Sequence, residues 1–316
     1  MDYQNNIPFN DIVKFGQKTM LEQNVFSVSW ILGRFCNYDC SYCWPYAKSK
    51  VLDHRPLEQY QSTMKEIKKQ AGENGFSKFH FSFSGGEPTA YKGLTDLIKA
   101  YQEPVSNYLS LHMTTNASPG FNWWNKWLTA TEKLDRKSIT ASYHAEFSNE
   151  KEFAGKLNFL QEHGVLVTIN QVMVPTMFEE YYTRALRFKD EGLHVTLKPQ
   201  SNDTASAIVE GYSFEQWEIL QSEMEQEINQ IALYDKKGTE YKLDQAERLN
   251  AHQFNKFEGW MCNAGYQSCI IREPGGEIKR AYSCHDDPLG TIEDGFTLFK
   301  EPKVCITPTC VSSADS

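Results

Sequence analysis

Cys36, Cys40 and Cys43 stand in a C-x3-C-x2-C run, with Tyr42 just before the last thiol. Three closely spaced thiolates can hold three irons of a cubane cluster, which normally takes four Cys ligands. The next Cys is Cys262, so such a cluster keeps one iron open to a substrate or cofactor. A structural zinc site is the alternative. Zinc knuckles, however, use C-x2-C pairs closed by a second pair, and no such pair follows the run.

Downstream, Ser84-Gly85-Gly86-Glu87-Pro88-Thr89 follows the alternating run Phe79-His80-Phe81-Ser82-Phe83. A glycine pair after a strand is commonly a plain turn. Here Gly85 and Gly86 let the backbone approach a small ligand, and amide, carbonyl and carboxylate groups can address an ammonium group. Together the two motifs resemble the radical S-adenosylmethionine superfamily, with its C-x3-C-x-aromatic-C loop after the first strand and Gly-Gly-Glu-Pro after the second. The resemblance implies that Cys36, Cys40 and Cys43 bind a [4Fe-4S] cluster whose open iron is chelated by S-adenosylmethionine. It further implies that Gly85, Gly86, Glu87 and Pro88 hold the amino group and that the Tyr42 backbone meets the adenine. Asn116 and Ser142, with His144 beside them, are the expected contacts to the ribose and carboxylate. For His144 the alternative is that it satisfies a neighbouring hydroxyl, since buried polar groups must pair.

These residues need a scaffold, and the chain supplies a strand-helix alternation. Apolar or alternating runs at 25–35, 78–84, 108–116, 138–146, 166–174 and 194–200 are separated by helical patterns at 57–72, 92–102, 122–132, 149–162 and 179–191. Gly164 and Gly192 stand where C-terminal helix caps belong. Such alternation predicts an α/β fold, a partial (β/α)6 TIM-like barrel over 25–204 built with right-handed crossovers. The strand period of two puts Phe79, Phe81 and Phe83 on one face and His80, Ser82 and Ser84 on the other. The same split sets Ile139, Ala141 and Tyr143 against Thr140, Ser142 and His144, and Val195 and Leu197 against Thr196, Lys198 and Gln200. A one-sided antiparallel sheet would alternate likewise, but the intervening helices favour a barrel with a polar lumen, a cavity for a polar ligand. Glu146, Asn170, Lys198 and Gln200 fall at C-terminal strand ends, where barrel enzymes place their chemistry, and are substrate-facing candidates.

The chain of 316 residues is long enough for one barrel-sized domain plus an appendage. A net charge of −9 argues against a broad nucleic-acid footprint. The first residues carry neither a charged nor an apolar leader region, and no run of eighteen apolar residues occurs, so neither a signal peptide nor a membrane span is expected. Reduced thiolates in a cytoplasmic setting are the expectation for the eight Cys.

Residues 1–24 read as a lead-in and 205–254 as a helical bridge, with an amphipathic helix near 214–231 striped by Trp217, Leu220, Met224 and Ile228. The remaining five Cys crowd into a separate terminal module, 255–316, around a hairpin-like stretch at 270–278. Four thiolates also suit zinc. The layout resembles the twitch or SPASM extensions of the same superfamily, a small hairpin/helix iron-sulfur module with an auxiliary [4Fe-4S] cluster. By that resemblance Cys262, Cys284, Cys305 and Cys310 are its ligands. Cys269, at the start of the hairpin's first strand, is left out as a packed thiol.

The reaction implied is hydrogen abstraction by a 5′-deoxyadenosyl radical from a polar substrate, with the auxiliary cluster accepting the electron left behind, hence oxidation. The cofactor carries the chemistry and the protein supplies position and a dry cavity. A small molecule is the favoured substrate. The alternative is a peptide presented by a separate partner, and a flavodoxin- or ferredoxin-type protein is the expected electron donor. The competing class is non-catalytic: an iron-sulfur electron carrier or a zinc-stabilised binding module.

Overall fold

The computed structural model describes residues 7–15, 24–104, 106–203, 207–224, 231–243, 256–282, 284 and 288–310. In chain order the principal elements are β1 (Ile12–Phe15), β2 (Val25–Ile31), α1 (Leu57–Glu73), β3 (Lys78–Ser84), α2 (Leu94–Tyr101), β4 (Tyr108–Thr115), α3 (Phe121–Ala130), β5 (Arg136–Tyr143), α4 (Glu150–Glu162), β6 (Leu166–Met173), α5 (Phe178–Asp190) and β7 (His194–Pro199). Then come α6 (Phe214–Met224), β8 (Ile231–Asp235), β9 (Glu240–Leu243), β10 (Met261–Cys262), β11 (Ser268–Arg272), β12 (Glu277–Lys279), β13 (Pro288–Thr291), β14 (Gly295–Phe296) and β15 (Lys303–Val304).

Strands β2 to β7 form the expected parallel run, each paired with its successor and separated by helices. The sheet does not close: β7 remains at one edge. The period-two reading holds along the strands, except that Ser110 on the polar face of β4 is also buried. In β3, Phe79, Phe81 and Phe83 are buried while His80 and Ser82 are only partly so. The buried face packs against Tyr60, Met64, Ile67 and Ala71 of α1 and the Trp124 and Trp127 rings of α3. Each of the larger of these side chains contributes roughly 1.5–3 kcal/mol on leaving water. Gly164 and Gly192 take φ of 75° and 81°, ending α4 and α5 in the left-handed region that glycine tolerates.

Two expectations about organisation need correction. The terminal module is not separate from the barrel. Its strand β11 pairs in parallel with β2, from Ser268↔Ser27 to Arg272↔Ile31, and β12, β13 and β14 continue the same ten-stranded sheet. An uncovered β2 would present unpaired backbone groups at a sheet edge, and the hairpin satisfies them. The lead-in and the bridge also meet, because β1 pairs with β8 and β8 with β9 in a three-stranded antiparallel sheet. The bridge is therefore a helix followed by a hairpin; residues 225–230, with Ile228 of the expected stripe, lie outside the described residues. Among the described residues no helix is long and apolar enough to cross a membrane.

The polar face carries a histidine-serine ladder. His80 Nδ1 lies 2.8 Å from Ser110 Oγ, and His112 Nδ1 lies 2.8 Å from Ser138 Oγ. Burial holds both rings at a pKa of about 4, with the positive charge of Arg136 adding to the effect on each and that of His112 to the effect on His80. A folded-state pKa below the unfolded value near 6.5 means the unfolded chain takes up protons first. Stability is therefore complete above about pH 6.5 and is lost as pH falls toward 4, by about 3 kcal/mol per ring at the low end. We expect the urea midpoint to drop steadily from pH 7 to pH 5 and His112→Gln to flatten that slope. An unchanged slope in the variant would contradict this account.

Candidate active site

The three cysteines lie on the long loop between β2 and α1, at the C-terminal ends of the parallel strands. The chain doubles back there: Ser49 N donates to Arg34 O (2.7 Å) and Cys36 N to Ser49 O (3.1 Å). Arg34 N is received by Asp53 Oδ2 at 3.0 Å. The loop rests on the Gly-Gly-Glu-Pro turn, where Gly86 N donates to Gly33 O (2.9 Å) and Glu87 N to Phe35 O (2.7 Å). A Cβ on Gly86 would collide with the carbonyl oxygens of Arg34 and Phe35, and Gly85 has φ 125°. Glycine is required at both positions for this contact with the loop, which is a different reason from approach to a ligand.

The Glu87 carboxylate was expected to address an ammonium group, and the structure corrects this. It is 2% exposed and fully engaged by the chain's own donors. Oε1 accepts from Thr89 N (3.0 Å), Thr89 Oγ1 (2.6 Å) and Thr115 Oγ1 (2.7 Å), and Oε2 from Asn116 N (2.6 Å). Burial pushes this carboxyl up and the four donors pull it back. Asn116 is likewise committed: its Nδ2 donates to Asn37 Oδ1 (2.9 Å) and its Oδ1 accepts from Ser118 N (3.0 Å). The Nδ2 lies 4.0 Å from Cys36 Sγ, so Asn116 is at the cysteine loop.

Glu146, read as a substrate candidate, grips the cysteine loop instead. Its carboxylate accepts from Ser41 N (3.1 Å) and Ser41 Oγ (2.8 Å), between Cys40 and Cys43. It lies three residues beyond the end of β5, where the strand period no longer fixes direction. His144 Nδ1 lies 2.9 Å from Tyr42 OH, and the two rings stack with centroids 5.9 Å apart. Burial keeps that imidazole neutral, with a pKa of about 4, and raises the Tyr42 hydroxyl. Ser142 and Asn170 are register partners on the polar face, Asn170 is paired with Thr196, and Lys198 sits one step further along β7 opposite Val172. Gln200 follows β7, with its N–H donating to Tyr212 OH (2.8 Å).

The donor set suits a bound cationic cluster. Burial pushes all three thiols up, Cys40 to about 12, where the charges of Glu146, Cys43 and Cys36 add to the effect. Such mutually repelling thiolates gain from sharing a cation, and binding one releases their protons. Among the described residues no three His, Cys, Asp or Glu form a group placed to hold a metal ion. A cubane makes a different demand, since each thiolate bonds a different iron.

In the terminal module Cys262 and Cys305 come together because β10 pairs with β15 and Cys305 N donates to Trp260 O (2.7 Å). Thr307 joins Cys305 to Cys284: its Oγ1 lies 3.9 Å from Cys284 Sγ and its carbonyl 3.9 Å from Cys305 Sγ. Burial raises the Cys284 thiol, Thr307 and Arg280 lower it, and Cys262 and Cys305 raise it again. Cys310, half-buried, follows on the same segment. Cys269 is 3% exposed and belongs to the main core, whereas Cys284 and Cys262 share a smaller cluster with Ala264 and Ala281. Sequence reasoning missed Asp53 and Arg55, which tie down the cysteine loop, and Lys48 and Lys50, which bond its carbonyl groups; no spacing rule marks them.

No curated protein matches the chain. Among solved structures it resembles native anSMEcpe with bound AdoMet (TM-score 0.55, 15% identity, 86% of this chain and 79% of that one). It also resembles the same protein with AdoMet and Kp18Cys peptide (0.55, 14%, 86% and 79%) and with AdoMet and Cp18Cys peptide (0.53, 14%, 86% and 78%). These likenesses are of fold. The family model described as the Radical SAM superfamily matches residues 30–189, half of the chain, a span that includes the cysteine loop and the Gly-Gly-Glu-Pro turn. The chain belongs to the radical S-adenosylmethionine superfamily.

Proposed function

We propose that the protein is a radical S-adenosylmethionine enzyme that oxidises a polar small molecule, with an auxiliary [4Fe-4S] cluster as electron acceptor. The observation that supports this best is the placement of Cys36, Cys40 and Cys43 on one anchored loop at the C-terminal ends of the parallel strands, with Cys262, Cys284 and Cys305 near one another in the module joined to β2. Cys36, Cys40 and Cys43 would hold the first cluster, and Cys262, Cys284, Cys305 and Cys310 the second. When bound, the first cluster and S-adenosylmethionine supply one-electron cleavage of a carbon–sulfur bond and removal of a hydrogen atom from the substrate.

The chain's own residues do the positioning. Glu146 holds Ser41, and Asn116 holds Asn37, so the loop is fixed on both sides of Cys40. Gly85 and Gly86 set the height of the loop over the sheet. Ser142, Asn170, Thr196 and Lys198 line the polar face and would orient substrate. The neutral His144 and the Tyr42 hydroxyl bond each other beside the loop. A peptide substrate is the second reading, prompted by the peptides bound to anSMEcpe and by Trp44 and Tyr46, which stack 5.9 Å apart and stand exposed just after Cys43.

Anaerobic reconstitution with iron and sulfide counting tests the two-cluster arrangement. We expect about eight irons per chain, for two cubanes. Cys269→Ala should keep them all and Cys284→Ala should keep about half. Iron lost on replacing Cys269 but retained on replacing Cys262 would reverse the ligand choice.

A further inference from the structure

Two lysines reach back across the cysteine loop to the carbonyl groups of the thiol-bearing segment. Lys50 Nζ donates to Cys36 O (3.0 Å) and Tyr38 O (2.7 Å). Lys48 Nζ donates to Cys40 O (2.9 Å) and pairs with Asp39 Oδ1 at 2.7 Å. The reversal at the Phe35↔Ser49 bridge brings the two lysines, which flank Ser49, back to the cysteine segment. Each ammonium is thus bonded to the carbonyl of a residue whose thiol is a proposed cluster ligand.

Two roles are open to such a pair: a tether for the loop, or a source of field at the cluster. The loop already has tethers at Arg34, Ser41, Asn37 and Glu87, so two further cations exceed what geometry requires. Reduction adds a negative charge to an iron-sulfur cluster, and its potential follows local charge and hydrogen bonding. A fixed cation within a few ångströms of the ligand backbone favours the reduced form. Asp39 offsets part of the Lys48 charge, which leaves Lys50 the larger effect.

We propose that Lys48 and Lys50 are positioning residues that raise the reduction potential of the cluster held by Cys36, Cys40 and Cys43, Lys50 more strongly than Lys48. The electron itself comes from an external one-electron donor of the flavodoxin or ferredoxin class. The inference rests on the reading of those cysteines as cluster ligands.

The test is a dithionite redox titration of the reconstituted full-length chain followed by EPR, with the cluster identified by the change in its signal on adding S-adenosylmethionine. Lys50→Gln should move the midpoint to more negative potential and lower, several-fold, the reduced fraction at the wild-type midpoint. Lys48→Gln should do the same to a smaller extent, Lys50→Arg should restore the wild-type value, and Asp39→Asn should move the midpoint the other way. Iron content should be unchanged in all four. Midpoints that stay at the wild-type value overturn the proposal, and so does loss of iron from Lys50→Gln and Lys50→Arg alike, which marks a mere tether. A wild-type chain with no S-adenosylmethionine-sensitive signal overturns instead the assignment of the cysteines, and this inference with it.

Discussion

Replacing Arg55 with Met lowers the stability of the folded chain by about 3–5 kcal/mol, the usual cost of stripping the partner from a buried charge. Arg55 closes the cysteine loop just before α1 and reaches into the turn between β11 and β12. Its Nε bonds the Glu273 carboxylate, its Nη1 bonds Glu293, and its Nη2 donates to Pro274 O at 3.3 Å. The Glu273 side chain is 0% exposed, whereas that of Glu293 is 49% exposed, so Glu273 sets the magnitude. Burial opposes the charge on Arg55, but the two carboxylates hold it on; burial also pushes Glu273 up while Arg55 and Gly276 N pull it down. Glu273 N donates to Ile31 O (3.1 Å), Arg55 N to Tyr60 OH (3.1 Å) and Tyr60 OH to Leu32 O (3.1 Å). The guanidinium therefore ties the α1 end of the cysteine loop to the hairpin that covers β2, while Glu273 N ties the β2 end to the same hairpin. The double variant Arg55→Met with Glu273→Met should recover most of the loss, since a buried pair replaced by apolar groups is often neutral. Urea unfolding of the single and double variants measures this, and a single-variant cost below about 1 kcal/mol would mean that the pair behaves as a solvent-screened one.

Glu87→Ala is expected to cost a similar amount and, in addition, to release the cysteine loop. It would leave Thr89 N and Asn116 N buried without acceptors, at about 1–3 kcal/mol each, while the two threonine hydroxyls can turn to other partners. Asn116 stands at a constrained place, because the next residue, Ala117, is fully buried with φ 52° in the left-handed region. Without the carboxylate that turn relaxes, and the bond from Asn116 to Asn37 loosens with it. We expect a urea midpoint shifted down and an iron content reduced at the first cluster. Glu87→Gln should lie between, since its amide keeps one acceptor oxygen but turns an N–H group toward Asn116 N or the threonines. A Glu87→Ala chain with wild-type midpoint and iron content would contradict the role given to the carboxylate.

The strand faces were legible because apolar side chains alternate where one side of a sheet packs on helices. Phe79, Phe81 and Phe83 against His80 and Ser82 show this directly, as do Gly164 and Gly192 at the helix ends. What the hairpin at 270–278 docks against was not legible. The pairing of β11 with β2 joins residues some 240 positions apart, and nothing in the apolar pattern of β11 names an edge to cover. The four-residue β1 is too short to show a period, so its pairing with β8 was hidden as well. At the site, motif spacing pointed to Cys36, Cys40, Cys43 and the Gly-Gly-Glu-Pro turn but not to what the Glu87 and Glu146 carboxylates bond. Those roles arise from loop reversals, where side-chain direction escapes both the helical and the strand period. The Lys48 and Lys50 contacts depend on the same reversal.

If the protein acts as proposed, S-adenosylmethionine is cleaved at the Cys36, Cys40 and Cys43 loop. The most direct measurement is 5′-deoxyadenosine formation after dithionite and S-adenosylmethionine are added, without oxygen, to the reconstituted triple variant Cys36→Ala, Cys40→Ala, Cys43→Ala and to the wild-type chain. The wild-type chain should form 5′-deoxyadenosine, while the variant should form none yet keep about four irons at its terminal module. Formation of 5′-deoxyadenosine by the variant at the wild-type rate would contradict the proposal.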